Sequence, residues 1–85
     1  MRIFYSSKFA REYKKLSLDT KKTAEKKEKI FRQNPFDSKL KIHRLTGKLK
    51  NYWSFSIDFK HRIIFELVDE KTIWFHSVGT HDIYR

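Results

Sequence analysis

This 85-residue chain has no cysteine, and its 20 Lys and Arg stand against 10 Asp and Glu for a formal net charge of +10. The length allows one domain, residues 1–85, because a chain this small buries only about 60% of its unfolded surface, and the missing cysteines exclude a disulfide framework and thiolate metal sites. No apolar run approaches the roughly 20 residues that span a bilayer, and Met1-Arg2-Ile3-Phe4-Tyr5-Ser6 lacks the apolar stretch of a signal peptide, so a cytoplasmic protein is expected.

Ile3-Phe4-Tyr5 reads as a short first strand, after which Ser6 and Ser7 offer hydroxyls that cap a helix by accepting from its orphan N–H groups. Phe9, Tyr13 and Leu16 fall at i, i+4 and i+7, one face of that helix and a core stripe. Ser17-Leu18-Asp19 breaks it and caps a second, strongly cationic helix running to about Gln33. Asn34-Pro35 stops that helix, because proline disfavours helical geometry in the residue before it. Its apolar stripe, Leu18 with Ala24, Ile30 and Phe31, is thin, and lysine stems are expected to cover its margins.

Residues 34–50 form the longest irregular stretch and carry His43, Leu45 and Gly47, in the kind of loop where function tends to sit. From Tyr52 the period becomes two: Trp53, Phe55 and Ile57 read as core, alternating with Ser54, Ser56 and Asp58 in a half-buried strand. Residues 61–68 and 72–78 follow as strands, joined by a tight turn at Asp69-Glu70-Lys71. Strand, helix, helix and three strands predict an α+β fold, β-α-α-β-β-β, with a helical hairpin on one face of a small, mainly antiparallel sheet. The second face is then free to act.

Charge narrows what it acts on. Residues 1–50 hold 16 basic and 5 acidic residues (net +11), whereas residues 51–85 hold 4 and 5 (net −1). Such a field attracts polyanions: nucleic acid, an anionic membrane surface or an acidic protein. Nucleic acid leads, because the basic residues continue through Lys39, Lys41, Arg44, Lys48 and Lys50 toward a strand rich in aromatics.

No phosphate-binding glycine loop, cysteine zinc pattern or serine–histidine signature is present. Asp58, Glu66, Asp69 and Glu70 are dispersed and would repel an RNA phosphate. Cutting RNA without a metal requires a base for the 2′-OH, an acid for the departing 5′ oxygen and cations for the crowded phosphorane. Histidine titrates near neutral pH and arginine holds two phosphate oxygens at once, so these residue types suffice.

Among the four histidines, His81 is the first candidate, beyond a strand end after Gly79 and close to Tyr84 and Arg85; the same spacing also suits an ordinary surface histidine. His43 has no local partner to fix its tautomer. His61 opens a strand, His76 fills or flanks the sheet, and the spacing of the four matches no zinc pattern. Tyr52, Trp53 and Tyr84 offer rings for stacking on bases. Tyr84, in an exposed tail, is the better platform, and Trp53 shares the core phase.

Four stretches carry a resemblance: His43-Arg44-Leu45 with Gly47, Asn51-Tyr52-Trp53-Ser54, His61-Arg62-Ile63-Ile64-Phe65, and Gly79-Thr80-His81. With size, basicity and element order, they make the chain resemble, over nearly its whole length, the RelE superfamily of type II toxin–antitoxin toxins, particularly its YafQ-like and YoeB-like branches. That resemblance implies a RelE-like fold and a toxin that enters the ribosomal A site and cuts mRNA, leaving a 2′,3′-cyclic phosphate and a 5′-hydroxyl. Dependence on the 2′-OH makes RNA obligatory. It implies catalytic roles for His81, for His43 as candidate general base and for Arg62 as a phosphate contact, with Tyr84 stacking on the message.

The chain departs from the YafQ-like pattern at Ser56 and Lys60, where that pattern has a histidine and an aspartate, which leaves acid and base unassigned between His43 and His81. Lys60 then becomes a candidate phosphate contact, joining Lys48, Lys50, Tyr84 and Arg85 in the expected RNA-binding set. No metal and no cofactor are expected; mRNA in the ribosomal A site and a cognate acidic antitoxin are the expected partners. The alternatives are a ParE-like toxin that poisons DNA gyrase without nuclease activity, and a basic RNA-binding module without catalysis.

Overall fold

Ser6 determines where the first helix starts. A computed structural model of the chain describes residues 1–84 and opens on a strand, β1 (Arg2–Tyr5). The Ser6 hydroxyl then accepts the Phe9 N–H at 2.9 Å and caps α1 (Ser7–Lys14). Ser17 caps α2 (Leu18–Gln33) in the same way, through the Thr20 N–H at 3.1 Å, and Asn34 ends it with extended backbone ahead of Pro35. Both helices lie where the capping residues and the proline put them.

Two expectations about this half change. Leu18 is 69% exposed rather than part of the core stripe. At about 100° per residue it sits roughly 120° around the helix from the line through Ala24 and Phe31, which are the buried residues of α2. Residues 34–50 are also less irregular than expected. They hold two 3-10 turns (Ser38–Leu40 and Gly47–Leu49) and a two-residue strand, β2 (His43–Arg44), too short to show any period. Left-handed backbone at Lys41 (φ 50) and Gly47 (φ 66) turns the chain into and out of β2.

β3 (Trp53–Ser56), β4 (Arg62–Asp69) and β5 (Thr72–Gly79) complete a sheet of five strands among the described residues, in the order β1-β5-β4-β3-β2. β1 lies parallel to β5 and the other pairs are antiparallel. The helical hairpin covers one face of this mainly antiparallel sheet, as expected. Phe9, Ala24 and Phe31 meet Leu40, Phe55, Ile57, Ile63, Phe65, Ile73, Phe75 and Val78 there. Phe31 is the centre of this cluster: its ring stacks on Phe55 at 5.0 Å and meets Phe65 and Phe75 edge-on at 5.0 and 5.6 Å.

One irregularity shapes the opposite face. Phe65 pairs with Phe75 but Ile64 pairs with Ser77, so His76 is an extra residue in β5, a β-bulge. The bulge keeps Phe75 and Val78 both in the core and turns the consecutive residues His76 and Ser77 both toward the uncovered face. The Ser6 hydroxyl donates to the His76 carbonyl at 2.8 Å, so the residue that caps α1 also ties it to the bulge. No helix among the described residues is long and apolar enough to cross a membrane.

Candidate active site on the uncovered sheet face

Residues directly opposite one another on paired strands share a face, and the register therefore builds a row across the uncovered side: His43, Ser54, Ile64 and Ser77. Ser54 alternates with Phe55 and was expected at the surface, yet it is fully buried. The cause is the C-terminal segment. Residues His81–Tyr84 form a 3-10 turn that folds back over the sheet, and the Tyr84 hydroxyl lies 2.8 Å from Ser54 Oγ. Tyr84 is consequently half-buried rather than part of an exposed tail.

His81 follows from this fold-back. It is exposed, and its ring meets the Tyr84 ring at 5.4 Å and 62°. A continuous set of contacts thus runs from His81 through Tyr84 to Ser54, whose partner across the ladder is His43. His43 is also exposed; its Nδ1 lies 3.4 Å from the Lys41 carbonyl, a long contact that orients the ring only weakly. The tertiary structure thereby links, through Tyr84 and Ser54, two histidines that are 38 positions apart in the chain.

Gly79 makes the fold-back possible, though not by adopting a left-handed turn, since the only described glycine with positive φ is Gly47. A Cβ at Gly79 would meet Ile83 Cγ2 at 2.6 Å. Gly79→Ala is expected to cost about 1–3 kcal/mol by overpacking, read as a lower urea midpoint, and to displace Tyr84 from Ser54. Combining it with Ile83→Ala removes the overlap, so the pair should cost less than the sum of the single changes.

Arg62 stands opposite Ser56 and Gly79 in the register, at the end of the sheet from which His81 departs. Its Nη1 donates to the carbonyls of Asp58 at 2.6 Å and His61 at 3.0 Å, so part of the guanidinium braces the β3–β4 turn. In the same turn Asp58 Oδ1 accepts the backbone N–H groups of Lys60 and His61 and lies 3.0 Å from His61 Nδ1. Burial of Asp58 would raise its carboxyl, but the hydrogen bonds from the His61 backbone and ring and from the Lys60 backbone hold it below the usual carboxylate range.

A depressed carboxyl contributes stability above its unfolded value and loses it as pH falls through the folded one. Wild type should therefore exceed Asp58→Asn in urea midpoint at neutral pH, and the gap should close below about pH 4. A gap unchanged at acid pH would show that the carboxylate charge does not brace the turn.

The expected RNA contacts divide between two places. Lys48 and Lys50 are exposed on the connection that precedes β3, and Lys60 is exposed in the turn that follows it, so they lie at opposite ends of that strand. Arg85 lies outside the described residues. Trp53 is partly buried against the core, as its phase implied, with the Arg44 guanidinium 5.9 Å from its ring.

Sequence reasoning gave no role to Lys8 or Ser77 beside the row, though it offered Tyr52 as a stacking ring. Lys8 Nζ reaches over from α1 to donate to Ser77 Oγ at 2.8 Å while pairing with Glu12 at 2.8 Å. Lys8, Tyr52, Ile64, His76, Ser77 and Ile83 line part of a cleft of ≈ 320 Å³ beside the row. A larger hollow of ≈ 440 Å³ lies between β1 and the helical hairpin; Tyr5, Phe9, Tyr13, Glu25 and Glu28 line it, without a histidine or a cation. The bulge at His76 is what could have pointed to the smaller cleft: the core alternation of Ile73 and Phe75 slips by one residue to Val78 across the polar pair His76-Ser77.

These features define a fold: two helices on one face of an open, mostly antiparallel sheet, an α+β arrangement shared with solved YafQ and YoeB proteins. No family model matches the sequence, and no curated protein does. Solved structures match along almost the entire chain. YafQ from E. coli strain BL21(DE3) superposes with a TM-score of 0.80 at 21% identity, covering 99% of this chain and 98% of that one. A YoeB/ParE toxin from Agrobacterium tumefaciens gives 0.80 at 16% identity, covering 95% and 99%. The YoeB dimer from Staphylococcus aureus gives 0.77 at 24% identity, covering 95% and 97%. The same fold occurs in a DinJ–YafQ complex from E. coli and a YoeB–YefM complex from Staphylococcus aureus.

Proposed function

We propose that this protein is the toxin of a type II toxin–antitoxin pair, a cytoplasmic endoribonuclease that cuts translated mRNA in the ribosomal A site without a metal. The observation that carries this reading is the set of contacts joining His81, Tyr84 and Ser54 opposite His43, on the one sheet face the helices leave uncovered. A cation, Arg62, stands in register at the same end of that face. Two histidines and one arginine are the residue types that the reaction asks for. One imidazole takes the 2′-OH proton, the alkoxide attacks the adjacent phosphorus, the other imidazole protonates the departing 5′ oxygen, and the guanidinium stabilises the phosphorane. Lys48, Lys50 and Lys60 bind the flanking phosphates from the two ends of β3, Tyr84 and Arg85 contact the message, and the ribosome supplies further positioning.

A cognate acidic antitoxin is the second part of the proposal. A net charge of +10 on 85 residues favours an acidic partner, and YafQ and YoeB have each been solved in complex with a second chain, DinJ and YefM, the first as a toxin–antitoxin complex. A gyrase-poisoning toxin is the competing reading, favoured by the neighbour that carries the ParE name.

Primer extension on an mRNA under translation separates the two. New 5′ ends that need ribosomes, together with unchanged gyrase supercoiling, are expected. Supercoiling inhibited without any RNA ends would overturn the nuclease reading.

A further inference from the structure

The bulge at His76 builds something the proton-transfer chemistry does not use. His76 Nε2 lies 3.1 Å from Glu66 Oε1. An ionised carboxylate only accepts, so Nε2 carries the proton and a neutral ring presents Nδ1 as an acceptor. The same imidazole lies between two aromatic rings, Tyr52 at 4.8 Å and Trp74 at 4.6 Å, and Trp74 is 41% exposed. Tyr52, His76 and Trp74 thus form an aromatic strip on the uncovered face. The cleft that Tyr52 and His76 share with Lys8 places the strip beside the row of His43 and Ser54.

A carboxylate is out of place on a surface that binds phosphates, unless it meets the part of a nucleotide that carries hydrogen-bond donors. We infer that Tyr52, His76, Trp74 and Glu66 form a nucleobase subsite beside the cleavage centre, in which a base of single-stranded RNA stacks on the ring strip and donates an amino group to Glu66. The inference deepens the nuclease reading and rests on it for the identity of the ligand as RNA. Stacking tolerates every base because each has a π-face, so the strip supplies affinity and Glu66 supplies choice. Adenine, cytosine and guanine carry exocyclic amino groups, whereas uracil presents carbonyl oxygens in their place. Lys8, already in contact with Ser77 on the opposite wall, is the cation for the phosphate of that nucleotide.

Cytidine and uridine hexamers make the cleanest probes, being equal in size and differing at this edge in an amino group against a carbonyl. With 2′-O-methyl riboses they cannot be cleaved, so equilibrium binding by fluorescence anisotropy is measurable whether or not the protein is a nuclease. Wild type should prefer the cytidine hexamer by at least about fivefold. Glu66→Gln, whose amide both donates and accepts, should bring the two affinities within about twofold. Trp74→Leu should weaken both hexamers by roughly five- to a hundredfold, and Trp74→Phe should restore most of the loss.

Equal binding of the two hexamers by wild type, or a preference that survives Glu66→Gln, would overturn the inference. So would variants that leave RNA binding untouched and weaken only the complex with an acidic protein, since the strip would then be a protein-docking surface. Failure of ribosome-dependent cleavage, with the cytidine preference intact, would instead count against the nuclease reading alone.

Discussion

Changing His81 to alanine is expected to lower ribosome-dependent cleavage by about 10²- to 10⁴-fold, the range for losing one positioned acid or base. The fold should not suffer, because His81 is exposed and its one described ring contact, with Tyr84, is a single edge-on pair. Measured as single-turnover rates on a programmed ribosome, the loss should fall on kcat and leave ribosome binding near wild type. His43→Ala should act similarly, and the double variant should lose far less than the product of the two, since an acid and a base serving one displacement act as a unit. Equal cleavage by wild type and His81→Ala would remove His81 from the chemistry, whatever the standing of the rest of the site.

Phe31→Ala should have the largest effect on stability. The side chain is fully buried and its ring touches three others, Phe55, Phe65 and Phe75, that come from three different strands. Deleting such a ring costs about 3–5 kcal/mol, against a total of about 5–15 kcal/mol for a domain. Urea denaturation should show the loss directly. Because α2 holds its place over the sheet through Phe31 and Ala24, a smaller loss would mean that the neighbouring rings collapse into the space. Activity is expected to fall only with the folded fraction, so the rate per folded molecule should be close to wild type.

The two substitutions separate the faces of the sheet, and the faces differ in how far they could be read in advance. The helix-facing side was legible. Ser6, Ser17 and Pro35 act on residues within three or four positions of themselves, and the alternation of Phe55 and Ile57 with Ser54 and Ser56 is a local property of one strand. The strand β2 was not legible, because His43–Arg44 is defined by pairing with β3 and not by any pattern of its own. Among the site residues, His81 was singled out by its place after Gly79, while the resemblance pointed to Arg62 and implied the roles of His81, His43 and Arg62. Ser54, Lys8, Glu66 and His76 were passed over, since each acquires its place from a partner between 10 and 69 positions away.

The uncovered face shows the division most clearly. Sequence by itself determined that the chain is a small basic α+β domain, that the helices begin at Ser6 and Ser17, and that one apolar side of the sheet is covered, because caps and hydrophobic periods are set by neighbours in the chain. Tertiary structure alone decided that Tyr84 folds back onto Ser54, that Gly79 must lack a side chain to let Ile83 approach, and that one extra residue in β5 turns His76 toward Tyr52 and Trp74. Those outcomes depend on register and close contact between distant segments, and a shift of one residue in pairing would send the same side chains to the opposite face.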